Sequence, residues 1–165
     1  MRSWRMRVLI LGLSYGAGVF AADAPANDAA RGRYVATIAG CHDCHTPGYA
    51  MSGGSAPESV WFTGDALGWN GPWGTTYATN LRLRVADMDE KTWLAFARSF
   101  KARPPMPYWA LNHMSDDDLS AIWKMLKALG KAGVPAPAAL PPGVEAQGPV
   151  VRFPGPPPAT ASASH

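Results

Sequence analysis

Cysteine is nearly absent from this chain: its 165 residues hold two, Cys41 and Cys44, so one site uses both and leaves no thiol for a second. Sustained strand alternation is missing along the whole length, and the expected fold class is mostly α. A long apolar run is missing as well. Val8 to Phe20 is short, is broken by Gly12, Gly16 and Gly18, and falls below a comfortable membrane span. With Arg2, Arg5 and Arg7 nearby and small residues at Val19-Phe20-Ala21, it reads as a secretory signal peptide cut after Ala21. No cysteine sits near that cut, which argues against a lipid-anchored N-terminus. Charge of one sign is lacking too. The full chain carries 15 Lys+Arg against 12 Asp+Glu, and loss of the three leader arginines leaves 12 of each. The basic pI therefore belongs to the leader, and nucleic-acid binding has no support.

What is present divides the chain into three parts: a leader at 1–21, one domain at 22–132, and a tail at 133–165. The tail holds Pro135, Pro137, Pro141, Pro142, Pro149, Pro154 and Pro156 to Pro158, with too little apolar bulk to pack a core. It is expected to be extended or disordered, with Val150, Val151 and Phe153 available to lie along the domain. Three helices are expected in the domain. The first runs from Asn27 as N-cap to about Ala39, with Gly40 at its end. The second follows Asp87 or Asp89 and places Trp93, Leu94, Ala97 and Phe100 on one side. The third begins at Ser115, with Asp118 completing a capping-box pattern, shows Leu119, Ile122, Trp123 and Leu126 as a stripe, and stops at Gly130.

The two cysteines lie in Cys41-His42-Asp43-Cys44-His45. The spacing C-x-x-C-H is what covalent haem attachment requires, each thiol adding across one vinyl group while the adjacent imidazole reaches the iron. A dithiol redox motif shares C-x-x-C but belongs beside a strand–helix unit with apolar strand patterning, absent here. A structural zinc site needs four ligands, and beyond Cys41, Cys44 and His45 only His113 is a plausible internal donor. The reading is one haem c, held by Cys41 and Cys44, with His45 as an axial ligand. A buried haem would also supply apolar mass to a domain of roughly a hundred residues rich in tryptophan.

The other axial position separates electron transfer from ligand chemistry, since a methionine thioether gives a six-coordinate iron that changes little on gaining an electron. Candidates in the mature chain are Met51, Met88, Met106, Met114 and Met125, with His113 as a bis-histidine alternative. Met106 is favoured because Arg103-Pro104-Pro105-Met106-Pro107-Tyr108 holds it in a stiff, non-helical loop. Met125 falls inside the third helix, where gap-filling is the usual role, and Met51 falls in a Gly/Ser-rich loop. Between Phe62 and Leu81 the candidate contacts to haem propionates are Trp69, Trp73, Tyr77 and Asn80, with Arg82 and Arg84 as charged additions. A carbonyl near Pro57 is a candidate partner for His45 Nδ1.

Taken in order, the first helix, Cys41–His45, a Gly- and aromatic-rich middle, Pro105-Met106-Pro107-Tyr108, Met114-Ser115-Asp116-Asp117-Asp118-Leu119 and a last helix resemble a class I cytochrome c domain. More narrowly, Gly32-Arg33-Tyr34-Val35 and Tyr77-Ala78-Thr79-Asn80-Leu81 are similar to segments of the cytochrome c domains that serve bacterial periplasmic dehydrogenases. Arg82-Leu83-Arg84-Val85 departs from the Thr-Pro and Gly-rich turn usual after that Asn segment, and there is one haem motif where many such subunits have several. The resemblance covers about residues 27–131. It places the axial methionine on Met106. It implies a periplasmic electron carrier between a dehydrogenase and a terminal oxidase or other cytochrome, with no reaction of its own and no membrane association required. The alternative class is a haem-based sensor or peroxidase-like protein whose sixth iron site is open or exchangeable.

Overall fold

A computed structural model describes residues 26–155, so the expected signal peptide lies outside the described residues. Among these residues there are six α-helices, a short 3-10 turn at Glu58–Val60 and three short strands. The fold is therefore mixed, and this corrects the mostly α expectation. The helices are α1 (Ala26–Ile38), α2 (Cys41–His45), α3 (Leu81–Arg84), α4 (Glu90–Ser99), α5 (Tyr108–His113) and α6 (Asp116–Leu129). No helix among the described residues is long and apolar enough to cross a membrane.

The helical half rests on α1 crossing α6. Gly32 makes the crossing possible: a Cβ there would stand 2.2 Å from the Ala121 carbonyl oxygen and 2.8 Å from Met125 Cβ. Helix α6 starts where its sequence says it should, with Ser115 Oγ accepting from the Asp118 N–H at 3.1 Å. The Asp118 carboxylate accepts from Arg31 Nε on α1 at 2.9 Å, tying the two helices at the surface. Leu119, Ala121, Ile122, Met125 and Leu126 form the buried stripe of α6. Asp89 caps α4 through the Thr92 N–H at 2.7 Å, and Trp93 of α4 donates its buried indole N–H to the Leu119 carbonyl at 2.8 Å. Val35, Ala36, Phe62, Val85 and Ala97 complete this core.

The other half was not legible as strand. β1 (Gly68–Gly71) and β2 (Gly74–Tyr77) form an antiparallel hairpin, with Pro72 and Trp73 in the turn between the paired Gly71 and Gly74. These strands are four residues long and rich in glycine, so they carry almost no hydrophobic alternation to read. β3 (Val150–Arg152) pairs with β1 in parallel, giving the order β2-β1-β3. On the far edge of the hairpin, Thr75 and Leu140 exchange backbone hydrogen bonds of 3.0 and 2.8 Å. The proline-rich segment after residue 132 is thus docked, as far as it is described, against both edges of the hairpin. Backbone pairing, not side-chain burial, holds it there.

Candidate functional site

Helix α1 ends at Ile38, and Gly40, at φ 68°, turns the chain into α2. One turn of helix then places Cys41 and Cys44 three residues apart, on the same face. Both thiols are free and half-buried, and both line a cavity of about 420 Å³ between the helical half and the hairpin. That volume lies within the roughly 300–1,000 Å³ of ordinary cofactor and ligand sites. Burial pushes the Cys41 thiol up to about 11, with Asp43 and Cys44 adding to the shift, and raises Cys44 as well. A dithiol catalyst needs the opposite, a thiolate stabilised by its surroundings.

His45 lines the same cavity and is only 9% exposed. Its Nδ1 lies 2.7 Å from the Thr79 carbonyl oxygen. A carbonyl can only accept, so Nδ1 carries the proton and Nε2 keeps a lone pair. Burial lowers the imidazole's pKa, opposed by the Thr79 carbonyl, which favours the protonated ring. The partner is Thr79 and not a carbonyl near Pro57, because the chain after β2 runs beside α2: Gly64 N–H donates to the His45 carbonyl at 2.9 Å, and Asp65 N–H to that of Ala78 at 3.1 Å. Thr79 is the residue that sequence reasoning missed, although its segment had been singled out.

The walls of the cavity are Phe62, Trp93, Phe96, Phe100, Ile122 and Leu126. Phe62 holds φ 57°, the left-handed region that aromatic residues rarely use, at a cost on the order of 1 kcal/mol. There its N–H donates to Thr46 Oγ1 and its carbonyl accepts from the Leu81 N–H, both at 2.9 Å. Met106 also lines the cavity, half-buried, from the loop before α5. Of the other candidates, Met125 borders the cavity but is fully buried in the α6 stripe. Met88 and Met114 pack against the core, and Met51 is 94% exposed. His113 is exposed, its Nδ1 2.6 Å from the Trp109 carbonyl oxygen.

The residues expected to meet propionates divide. Trp69 and Tyr77 line the cavity. Trp73 does not: its ring lies over Gly71, its indole N–H reaches the Trp69 carbonyl at 3.3 Å, and Phe153 covers it at 5.4 Å between ring centroids. Asn80 is spent on the fold. Its Oδ1 caps α3 by accepting from the Leu83 N–H at 3.0 Å, and its Nδ2 donates to the carbonyls of Ala132 and Val134 at 2.8 and 3.2 Å. Arg82 is buried and donates to the carbonyls of Leu129, the last residue of α6, and of its cap Gly130, and to that of Ser59 at 3.1 Å. Arg84 does line the cavity, joined by two cations not foreseen, Lys101 and Arg103. No carboxylate lines it among the described residues.

The donors suit a planar apolar cofactor with an anionic edge: two thiols and an imidazole, a thioether, apolar walls and a cationic side. They do not suit a lone metal ion, since no three His, Cys, Asp or Glu side chains converge as one would require among the described residues. No family model, no curated protein and no solved structure matches the chain.

Proposed function

We propose that the chain is an exported, periplasmic monohaem c-type cytochrome that passes single electrons from a dehydrogenase to a terminal oxidase or another cytochrome. The observation that carries this reading is the His45–Thr79 bond, which turns a neutral imidazole with a free Nε2 into the cavity lined by Cys41, Cys44 and Met106. Haem, when bound, supplies an iron that cycles between Fe(III) and Fe(II). Everything else is the work of the chain. Cys41 and Cys44, free and on one face of α2, would tether the group through their thiols. His45 and Met106 would hold its iron, one through nitrogen and one through sulfur, a donor pair that would raise the potential. Thr79 fixes the tautomer and orientation of His45. The aromatic walls exclude water, and Arg84, Lys101 and Arg103 favour the carboxylate side of the group. No substrate is turned over, so the chain is a carrier and not an enzyme.

A pyridine haemochrome assay on the exported protein tests the tether: one haem per chain is expected, and none with Cys41→Ala/Cys44→Ala. A colourless protein with both thiols open to alkylation overturns the proposal. With haem in place, Met106→Ala should abolish the weak near-infrared sulfur-to-iron band and admit CO or imidazole. An unchanged spectrum removes Met106 from the iron.

A further inference from the structure

One short stretch, residues 75–80, bonds both to His45 and to the loop that carries Met106, and the C-terminal segment braces that stretch. Thr79 holds His45. Thr76, three residues earlier on β2, donates its hydroxyl to the Pro104 carbonyl at 2.9 Å, two residues before Met106. The C-terminal segment meets the same stretch twice, through Ala132 and Val134 on Asn80 and through Leu140 on Thr75. It then returns along β1 as β3, and Phe153 closes over Trp69 and Trp73 at 6.2 and 5.4 Å. Arg103 ties the pieces together: one guanidinium nitrogen donates to the carbonyls of both Trp73 and Leu140, each at 3.3 Å. Ala139, just before that contact, itself lines the cavity. The fit is close in the backbone, because Gly74 at φ +93° would bring any Cβ within 2.2 Å of the Leu140 carbonyl oxygen.

We propose that residues 132–153 are a strap that positions the Met106 loop, with Arg103 as its clasp, so that releasing the strap converts a closed, methionine-ligated iron into one open to small ligands. This rests on the haem reading above. The strap is suited to such a role because it is held by hydrogen bonds to its backbone, from main chain and from the Asn80 and Arg103 side chains, and by two ring contacts, with little buried apolar surface of its own. It can detach while the helical core stays folded.

The test compares the full mature holoprotein with a chain ending at Ala138 and, in the full chain, Arg103→Gln and Arg103→Lys. Haem content per chain is measured first; if the full chain carries no haem, the cytochrome reading and the strap proposal both fail. With haem present, the shortened chain should retain its haem, lose most of the near-infrared sulfur-to-iron band and bind imidazole about tenfold more tightly or better. Arg103→Gln should shift both readouts the same way by a smaller factor, and Arg103→Lys, which keeps a donor, should restore them. Hydrogen exchange at the Tyr108 amide, bonded to the Met106 carbonyl at 2.9 Å, should quicken in step. If the band and the imidazole affinity of the shortened chain equal those of the full one, the strap proposal is overturned while the cytochrome reading stands. If the shortened chain does not fold, the two Arg103 variants decide alone: equal spectra overturn the proposal.

Discussion

The helical half and the hairpin half are held by different physics. α1, α4 and α6 bury Trp93, Leu119, Ile122, Met125 and Leu126 against Val35 and Phe62, so their stability comes from apolar surface removed from water. The strands and the segment beyond residue 132 bury little besides Gly68, Gly74 and Thr75, and are joined by backbone pairs across glycine- and proline-rich chain. The first kind of structure resists local opening, and the second yields first. The division falls on the site: Cys41, Cys44 and His45 follow directly from α1, whereas Met106 hangs from the hairpin through Thr76 and Arg103. On the proposed haem reading, the contrast implies a firm side that would keep the cofactor and a softer side that would govern access to it.

The sharpest way to break that contrast is at the helix crossing. Gly32→Val should cost at least about 4 kcal/mol or prevent folding, because the added atoms meet the α6 backbone, which cannot move aside. Urea unfolding followed by helical circular dichroism measures it, and a loss under 1 kcal/mol would mean the crossing is loose.

Next comes pH. His42 is 1% exposed, its Nδ1 is 2.9 Å from Thr46 Oγ1, and its Nε2 is buried without a partner between Tyr49, Trp61 and Phe62. Burial lowers its pKa from 6.5 to about 4, with Arg33 lowering and Asp43 opposing. Between those values the unfolded chain binds a proton that the folded chain refuses, so stability falls as pH drops from 6.5 toward 4. The expected loss is about 3 kcal/mol across the window. His42→Leu should flatten that part of the unfolding profile, and an unchanged slope would place the titration elsewhere.

Arg82→Ala should cost about 2 kcal/mol, since it strips three hydrogen bonds that bind the end of α6 to α3 and to Ser59. Thermal unfolding reads it, and the effect should appear with or without haem. Phe153→Ala should be smallest, about 1 kcal/mol or less in global stability, because it removes ring contacts at the surface. Its hydrogen-exchange footprint should be confined to residues 68–77 and 140–152; protection lost equally across α1 and α6 would erase the difference between the halves.

Much of the helical half was legible because its signals are local. Ser115 caps the helix it was expected to cap, Asp89 is the one of the two acids, Asp87 or Asp89, that caps α4, and the apolar stripe of α6 follows its period. The hairpin was not legible, since its stability lies in pairing across glycines that leave no pattern. At the site, the cavity does take in Cys41, Cys44, His45, Met106, Trp69 and Tyr77. Trp73, Asn80 and Arg82 lie off the cavity lining for one reason: a polar side chain advertises a hydrogen bond, but its sequence does not say with whom. Each found a backbone carbonyl instead.

By itself, the sequence determined what rests on near neighbours: two thiols spaced beside an imidazole, the caps of α4 and α6, and a methionine fenced by prolines. Tertiary structure alone decided which carbonyl holds His45, which cations face the cavity and where the proline-rich segment lies. Those contacts join residues 28 to 82 positions apart, and only the closed chain brings such partners within hydrogen-bond reach.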